Sequence, residues 1–150
     1  MAQFTCRPIS EQDLPYLAKI RAETSGSADH WSLRIRNYLG GIINPQNALP
    51  ERVIYLAEHD GVTVGFVAGH LSTRFSCEGE LQWIDTTIES RRKGVATLLI
   101  RVLAEWFISH NAHKICVDPG NQMARQLYQK NGATMLNDHW MCWEDIRKIV

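Results

Sequence analysis

Hydrophobic and polar positions along this chain fall into two rhythms, one of period two and one of period near 3.6. Val53, Tyr55 and Ala57 interleave with Ile54, Leu56 and Glu58, and Asp60-Gly61 follows, the residue pair of a tight two-residue turn. Val62 to Leu71 runs back, so the pattern predicts a hairpin whose return strand is weakened or bent by Gly65 and Gly69. A polar loop, Ser72 to Gly79, leads into a further strand over Glu80 to Thr86. The rhythm then changes. Val95, Leu98, Leu99, Val102, Leu103 and Trp106 recur at 3, 1, 3, 1, 3, which predicts a long amphipathic helix. Lys114 to Val117 reads as a short strand and Asn121 to Lys130 as a helix closed by Asn131-Gly132. Thr134–Leu136 and Trp140–Trp143 fit two last strands around an Asn137-Asp138 turn.

The first third is less regular. Gln3 to Ile9 reads as a strand, and Ser10-x-x-Asp13 as a helix start followed by Leu14, Leu17 and Ile20. Pro15 conflicts with a cap at Ser10 but suits one at Asp13. Between Thr24 and Pro50 the signals mix: Trp31 to Leu39 fits a short helix stopped by Gly40-Gly41, and Asn44 to Pro50 a loop. With no repeat, low-complexity tract or linker, residues 1–150 read as one domain. The order β-α-α-β-β-β-α-β-α-β-β implies an α+β fold of the three-layer sandwich type. Its central sheet is mixed, mostly antiparallel and flanked by helices.

Composition narrows the function. Sixteen basic and sixteen acidic residues cancel, against a broad nucleic-acid-binding face. There is neither a membrane-length apolar run nor a signal-peptide pattern, so a cytoplasmic protein with no membrane partner is expected. Cys6, Cys77, Cys116 and Cys142 are scattered, and Cys116 and Cys142 read as small core residues. His110 and His113, at i and i+3, are the nearest approach to a metal pair but fall at a solvated helix end, so no metal is expected.

The chemical anomaly stands at the start of the long helix, Ser90-Arg91-Arg92-Lys93-Gly94-Val95-Ala96-Thr97. A helix N-terminus favours anions, so three consecutive bases there are locally unfavourable unless an anionic ligand joins them. The alternative is a solvated basic turn with a permissive glycine. Neither a Walker loop nor a dinucleotide G-x-G-x-x-G occurs.

This segment resembles the acetyl-CoA loop of the GNAT superfamily of N-acetyltransferases, [Q/R]-x-x-G-x-[G/A], through Arg91, Gly94 and Ala96. Asn121 to Ala133, with Ala124, Leu127, Tyr128 and Gly132 in register, resembles the family's N-x-x-A-x-x-L-Y-x-x-x-G-[F/A] segment. The resemblance implies an acyl-CoA N-acyltransferase fold and acetyl-CoA as acyl donor. It implies pantetheine along the main chain of Ile84 and Thr86, and pyrophosphate on the amides from Arg92 to Thr97, with Arg91, Arg92, Lys93, Gly94, Val95, Ala96 and Thr97 binding the cofactor. It also places Asn121 near pantetheine and Tyr128 near the sulfur as general acid. Thr86-Thr87-Ile88 departs from the usual Val-His-Pro, and Ala133 from the commoner Phe. Arg92 stands where the loop often has glycine, where it crowds the turn or adds a phosphate contact.

A protonated amine must lose its proton before it attacks a thioester. Glu80, fourteen residues before Gly94, stands at the base's offset in histone-acetylating relatives. A solvated strand-start residue is its duller reading. Asp85 is the rival base, on the opposite face by alternation unless a bulge intervenes, and His70 is another. Tyr128, too, has a duller reading as a packing residue. No cysteine stands at a nucleophile position, so direct attack within a ternary complex is implied. The acceptor is expected to be the primary amine of a small molecule or peptide. Its pocket would fall within Thr24–Pro50, where His30, Trp31, Arg34, Arg36 and Tyr38 either suit an amine with an anionic end or simply pack and face water. A non-catalytic acyl-CoA-binding regulatory module is the competing class. Self-association, common in the family, could use the strands around Trp140 and Trp143 to form a homodimer, with a monomer as the alternative.

Overall fold

A computed structural model describes residues 3–150. Its strands are β1 (Thr5–Pro8), β2 (Ala48–His59), β3 (Val62–Ser72), β4 (Gly79–Thr86), β5 (Ile115–Val117), β6 (Thr134–Met135) and β7 (Met141–Trp143). Its helices are α1 (Leu14–Ala22), α2 (Ala28–Leu39), α3 (Val95–Ser109) and α4 (Gln122–Lys130). One sheet runs β1-β2-β3-β4-β5-β7-β6. Every neighbouring pair is antiparallel except β4 and β5, which are parallel. Helices α1 and α2 cover one face, and α3 and α4 the other. No described helix is long and apolar enough to cross a membrane.

The two-faced burial explains why β2 is apolar at every position from Val53 to Ala57. Val53, Tyr55 and Ala57 pack toward α3, while Ile54 and Leu56 pack toward α1 and α2. At the hairpin tip Asp60 (φ 51°) and Gly61 (φ 77°) both take the left-handed conformation that a two-residue turn needs. Two boundaries differ from expectation. Helix α2 starts at Ala28 rather than Trp31, because Ser27 accepts a hydrogen bond from the His30 amide at 3.1 Å and caps it. Strand β2 starts at Ala48, so part of the expected loop is strand, with Ala48 opposite Ser72.

The glycines of β3 have a different role from the one expected. A Cβ on Gly69 would lie 2.9 Å from a Leu103 methyl and 3.1 Å from Phe107, and one on Gly65 would lie 2.9 Å from the Asp85 carbonyl and 3.2 Å from Leu99. Rather than weakening the strand, they let α3 lie close against the sheet. The buried line of α3 is Val95, Leu99, Ile100, Leu103, Ala104 and Phe107, with Leu98, Val102 and Trp106 half-buried on its flank. The periodicity located the helix but set its seam slightly off the face that the glycines receive.

Both features of the first helix start are present in succession. Glu11–Asp13 form a 3₁₀ turn, and α1 follows with Pro15 in its first turn. The Asp13 carboxylate accepts from the Ser10 amide at 2.7 Å and from two Arg7 guanidinium nitrogens at 2.8 and 2.9 Å. The Arg7 bond is the main cause that holds its pKa down to about 2 from an ordinary 3.8. A depressed carboxylate stabilises the fold above its unfolded pKa, and that contribution disappears as pH falls through its folded pKa. Asp13→Asn should therefore unfold more readily than wild type at pH 7, with the difference closing between about pH 4 and 2 in denaturant titrations. Gly69→Ala should overpack α3 and cost about 1–3 kcal/mol by the same measurement.

Candidate active site

Strands β4 and β5 pair only over Gly79–Leu81 with Ile115–Val117. Beyond Leu81, β4 continues to Thr86 against β3 alone, which leaves an opening on its other side. The Thr87 amide donates to Val64 on β3 at 2.8 Å, so by alternation the main-chain groups of Ile84 and Thr86 face the opening. The Thr86 amide there donates to Asp85 Oδ1 at 2.9 Å. The side chains of Ile84 and Thr86 lie on the α3 face.

A bulge alters the parity of β4. Ala68 pairs with Trp83 and Gly69 with Leu81, so Gln82 is inserted without a partner. Glu80 faces the α1/α2 side with its partner His70, and after the bulge Trp83 and Asp85 return to that same side. Simple alternation therefore fails here: Glu80 and Asp85 share a face.

Glu80 is only 4% exposed. Its Oε1 lies 3.6 Å from His70 Nε2 and 3.8 Å from Arg74 Nη1, and accepts no hydrogen bond. His70 is fully buried, and its Nδ1 sits 2.8 Å from the Tyr38 hydroxyl. Burial raises the pKa of Tyr38, so its hydroxyl stays protonated beside that nitrogen. Burial also raises the pKa of Asp85, while Arg21, 3.5 Å away, acts in the opposite sense. Buried side-chain polar atoms without partners among the described residues include Arg21 Nε, Arg52 Nε, His70 Nε2, Glu80 Oε1 and Gln82 Oε1, all on or beside this face. Such atoms are uncommon in folded proteins, and His70 Nε2 and Glu80 Oε1 among them lie 3.6 Å apart.

The basic loop leads directly into α3. Arg92 has φ 63° and Gly94 φ 84°, and a Cβ at Gly94 would meet nothing within 4 Å. Arg92 thus adopts the left-handed conformation of the glycine it replaces, with its side chain exposed rather than crowding the turn. Leu98 donates the first intrahelical bond, to Gly94, at 3.1 Å. The amides of Val95, Ala96 and Thr97 precede it, no side chain caps them, and no acid occupies the first turn. Arg91 and Lys93 flank this row of donors. The Val95 side chain belongs to the core, and the Thr97 hydroxyl accepts from Asn131 at 3.4 Å.

Tyr128 projects from α4 into the core beside Trp143, with ring centroids 5.9 Å apart. Burial raises its pKa, with contributions from Asp118 and Asp85 and opposition from Arg21. Asn121 caps α4, its Oδ1 accepting from the Ala124 amide at 2.8 Å.

The sequence profile described as the Acetyltransferase (GNAT) family matches residues 16–133. The chain belongs to the GNAT acetyltransferase family. Among solved structures it is similar to PaiA N-acetyltransferase from Thermoplasma acidophilum in complex with coenzyme A, with TM-score 0.67 and 15% identity over 95% of this chain and 99% of that one. Ard1 from Thermoplasma volcanium gives 0.67 and 18% over 93% and 95%. Ribosomal-protein-alanine N-acetyltransferase from Brucella melitensis gives 0.66 and 17% over 92% and 98%. At these identities the likeness is one of fold. No curated protein matches the sequence.

Several residues of this GNAT acetyltransferase's site carried little or no sequence signal. Arg74 and Phe75 come from a 3₁₀ turn, with Arg74 stacked 4.2 Å from the Trp140 ring and Phe75 edge-on to it. Trp140 and Trp143 are both buried, Trp140 against Arg74 and Phe75 and Trp143 against Tyr128. Cys77, Cys116 and Cys142 are free and buried, with Cys116 opposite Cys142 across β5 and β7. No metal-holding cluster occurs among the described residues. The Asn121 cap yields a test that separates two roles. Asn121→Ala should cost about 1 kcal/mol in denaturation. Asn121→Asp should keep that stability, and should lose acetyl-CoA affinity in calorimetry only if the amide nitrogen meets the ligand.

Proposed function

We propose that this chain is an acetyl-CoA-dependent N-acetyltransferase that acetylates a primary amine by direct attack within a ternary complex. The observation that carries the reading is the parting of β4 from β5 beside the uncapped amides of α3. The residues fit the cosubstrate: the amides at Val95–Thr97 with Arg91, Arg92 and Lys93 suit a pyrophosphate. The main chain of Ile84 and Thr86 suits the amide groups of a pantetheine arm, and the amide nitrogen of Asn121, whose oxygen is taken by the α4 cap, suits a polar group of the same arm. Acetyl-CoA supplies the acetyl group, activated as a thioester.

The chain's own groups divide the proton transfers. Glu80, whose Oε1 accepts no hydrogen bond, takes the proton that an alkylammonium of pKa about 10.4 must lose to become a nucleophile. His70 and Arg74 hold that carboxylate in place, with Tyr38 behind His70. The Tyr128 hydroxyl, kept protonated by burial, donates to the departing sulfur as the carbon–sulfur bond breaks and the carbon–nitrogen bond forms. No cysteine thiol is required as a covalent carrier.

Acetyl-CoA should raise the melting temperature where ATP and NADH do not, since a ligand at about 100 times its Kd adds roughly 2.7 kcal/mol. With an accepted amine, Tyr128→Phe and Glu80→Gln should each lower kcat by about 10²–10⁴-fold while acetyl-CoA still shifts melting. No shift at millimolar acetyl-CoA would overturn the reading. Tight binding without turnover across a broad amine panel would instead identify a regulatory CoA-binding module.

A further inference from the structure

Two guanidiniums share one indole on the α1/α2 face. Arg21 lies 4.2 Å from the Trp31 ring centroid and Arg34 lies 5.2 Å from it, with Arg34 also 5.8 Å from the ring of Trp83. Trp31 and Trp83 meet edge to face at 6.0 Å, so the two rings and two cations form one wall. Burial, together with the charge of Arg34, draws the pKa of Arg21 below its ordinary value. Asp85 neutralises Arg21 at 3.5 Å, and Glu80 is flanked by His70 and Arg74. Among the described residues no carboxylate lies within the 4.0 Å ion-pair distance of Arg34, which is exposed. Trp83 follows the Gln82 bulge and stands between Glu80 and Asp85 on the same face, so Arg34 belongs to the wall that Glu80 faces.

A guanidinium stacked on an aromatic ring keeps its in-plane N–H donors available, and their fork matches a carboxylate or phosphate. A polycationic acceptor would meet Arg21, Arg34 and Arg74, with Asp85 already paired to Arg21 and Glu80 flanked by His70 and Arg74. We propose that the acceptor is an amine that also carries a carboxylate or phosphate, gripped by Arg34 over Trp31 and Trp83 while the amine is presented to Glu80. This rests on the acetyl transfer proposed above and specifies its substrate class.

The test is CoA release with matched acceptors: 4-aminobutyrate against 4-aminobutyramide and β-alanine against β-alaninamide for the carboxylate, phosphoethanolamine against ethanolamine and glucosamine 6-phosphate against glucosamine for the phosphate. In at least one arm the anionic member should have kcat/KM about 10- to 100-fold higher, falling as salt is raised, and the productive arm identifies the anion. Arg34→Gln should collapse the ratio toward one, mainly through the KM of the anionic member, and Arg34→Lys should restore part of it. Arg34 is exposed, so melting curves should confirm that both variants fold. Equal rates within each pair, preference for the neutral members, a ratio that survives Arg34→Gln, or no turnover of any member while acetyl-CoA still shifts melting would each overturn the proposal. Absence of an acetyl-CoA shift would instead remove the acetyltransferase reading beneath it.

Discussion

Backbone amides and carbonyls need partners, and the departure of β4 from β5 after Leu81 breaks that rule along one side of a central strand. The rest of the site follows from it. Gln82 bulges where the pairing ends, and Asp85 turns its carboxylate back onto the Thr86 amide. Tyr128 is buried from α4 beside Trp143, and the first turn of α3 has its own amides uncapped. A continuous sheet would satisfy these groups internally and leave nothing for a ligand to complete.

Holding such a gap open requires rigid walls. Gly65 and Gly69 on β3 and Gly79 on β4 admit Leu99, Leu103 and Phe107 at distances that a methyl group would forbid. The close fit fixes the axis of α3 and thus where its first amides stand. Stability and ligand geometry are coupled through one interface: loosening α3 on the sheet would also displace the row of donors at its start.

The two sides of the opening carry different electrostatics. Toward α3 the field is positive, from helix amides, Arg91, Arg92 and Lys93. Toward α1 and α2, two carboxylates lie among guanidiniums and aromatic rings, with Tyr38 and His70 behind Glu80. A positively charged side and a carboxylate-bearing side therefore meet across a single strand. Its residues alternate between the two, apart from the one inserted at the bulge.

Much of this was legible in the linear pattern. The hairpin at Asp60-Gly61, the long helix from Val95 and the capped helix after Asn121 all announce themselves by local rules of turn chemistry, periodicity and capping, and those rules act over a few residues. The GNAT resemblance at Arg91–Ala96 and Asn121–Ala133 is likewise contained in short runs. What depends on residues far apart was not legible. Alternation set Asp85 opposite Glu80, and only the pairing of β3 with β4 revealed the inserted Gln82 that reverses this. Gly69 looked like a defect until Leu103 was found above it. Tyr38, His70 and Glu80 are brought together from α2, β3 and β4, as are Arg34, Trp31 and Trp83 from a helix and a strand. Local sequence determines which elements form, because propensity and periodicity are short-range. Register, crossing and packing determine which side chains meet, because those are settled only when the whole sheet closes against its helices.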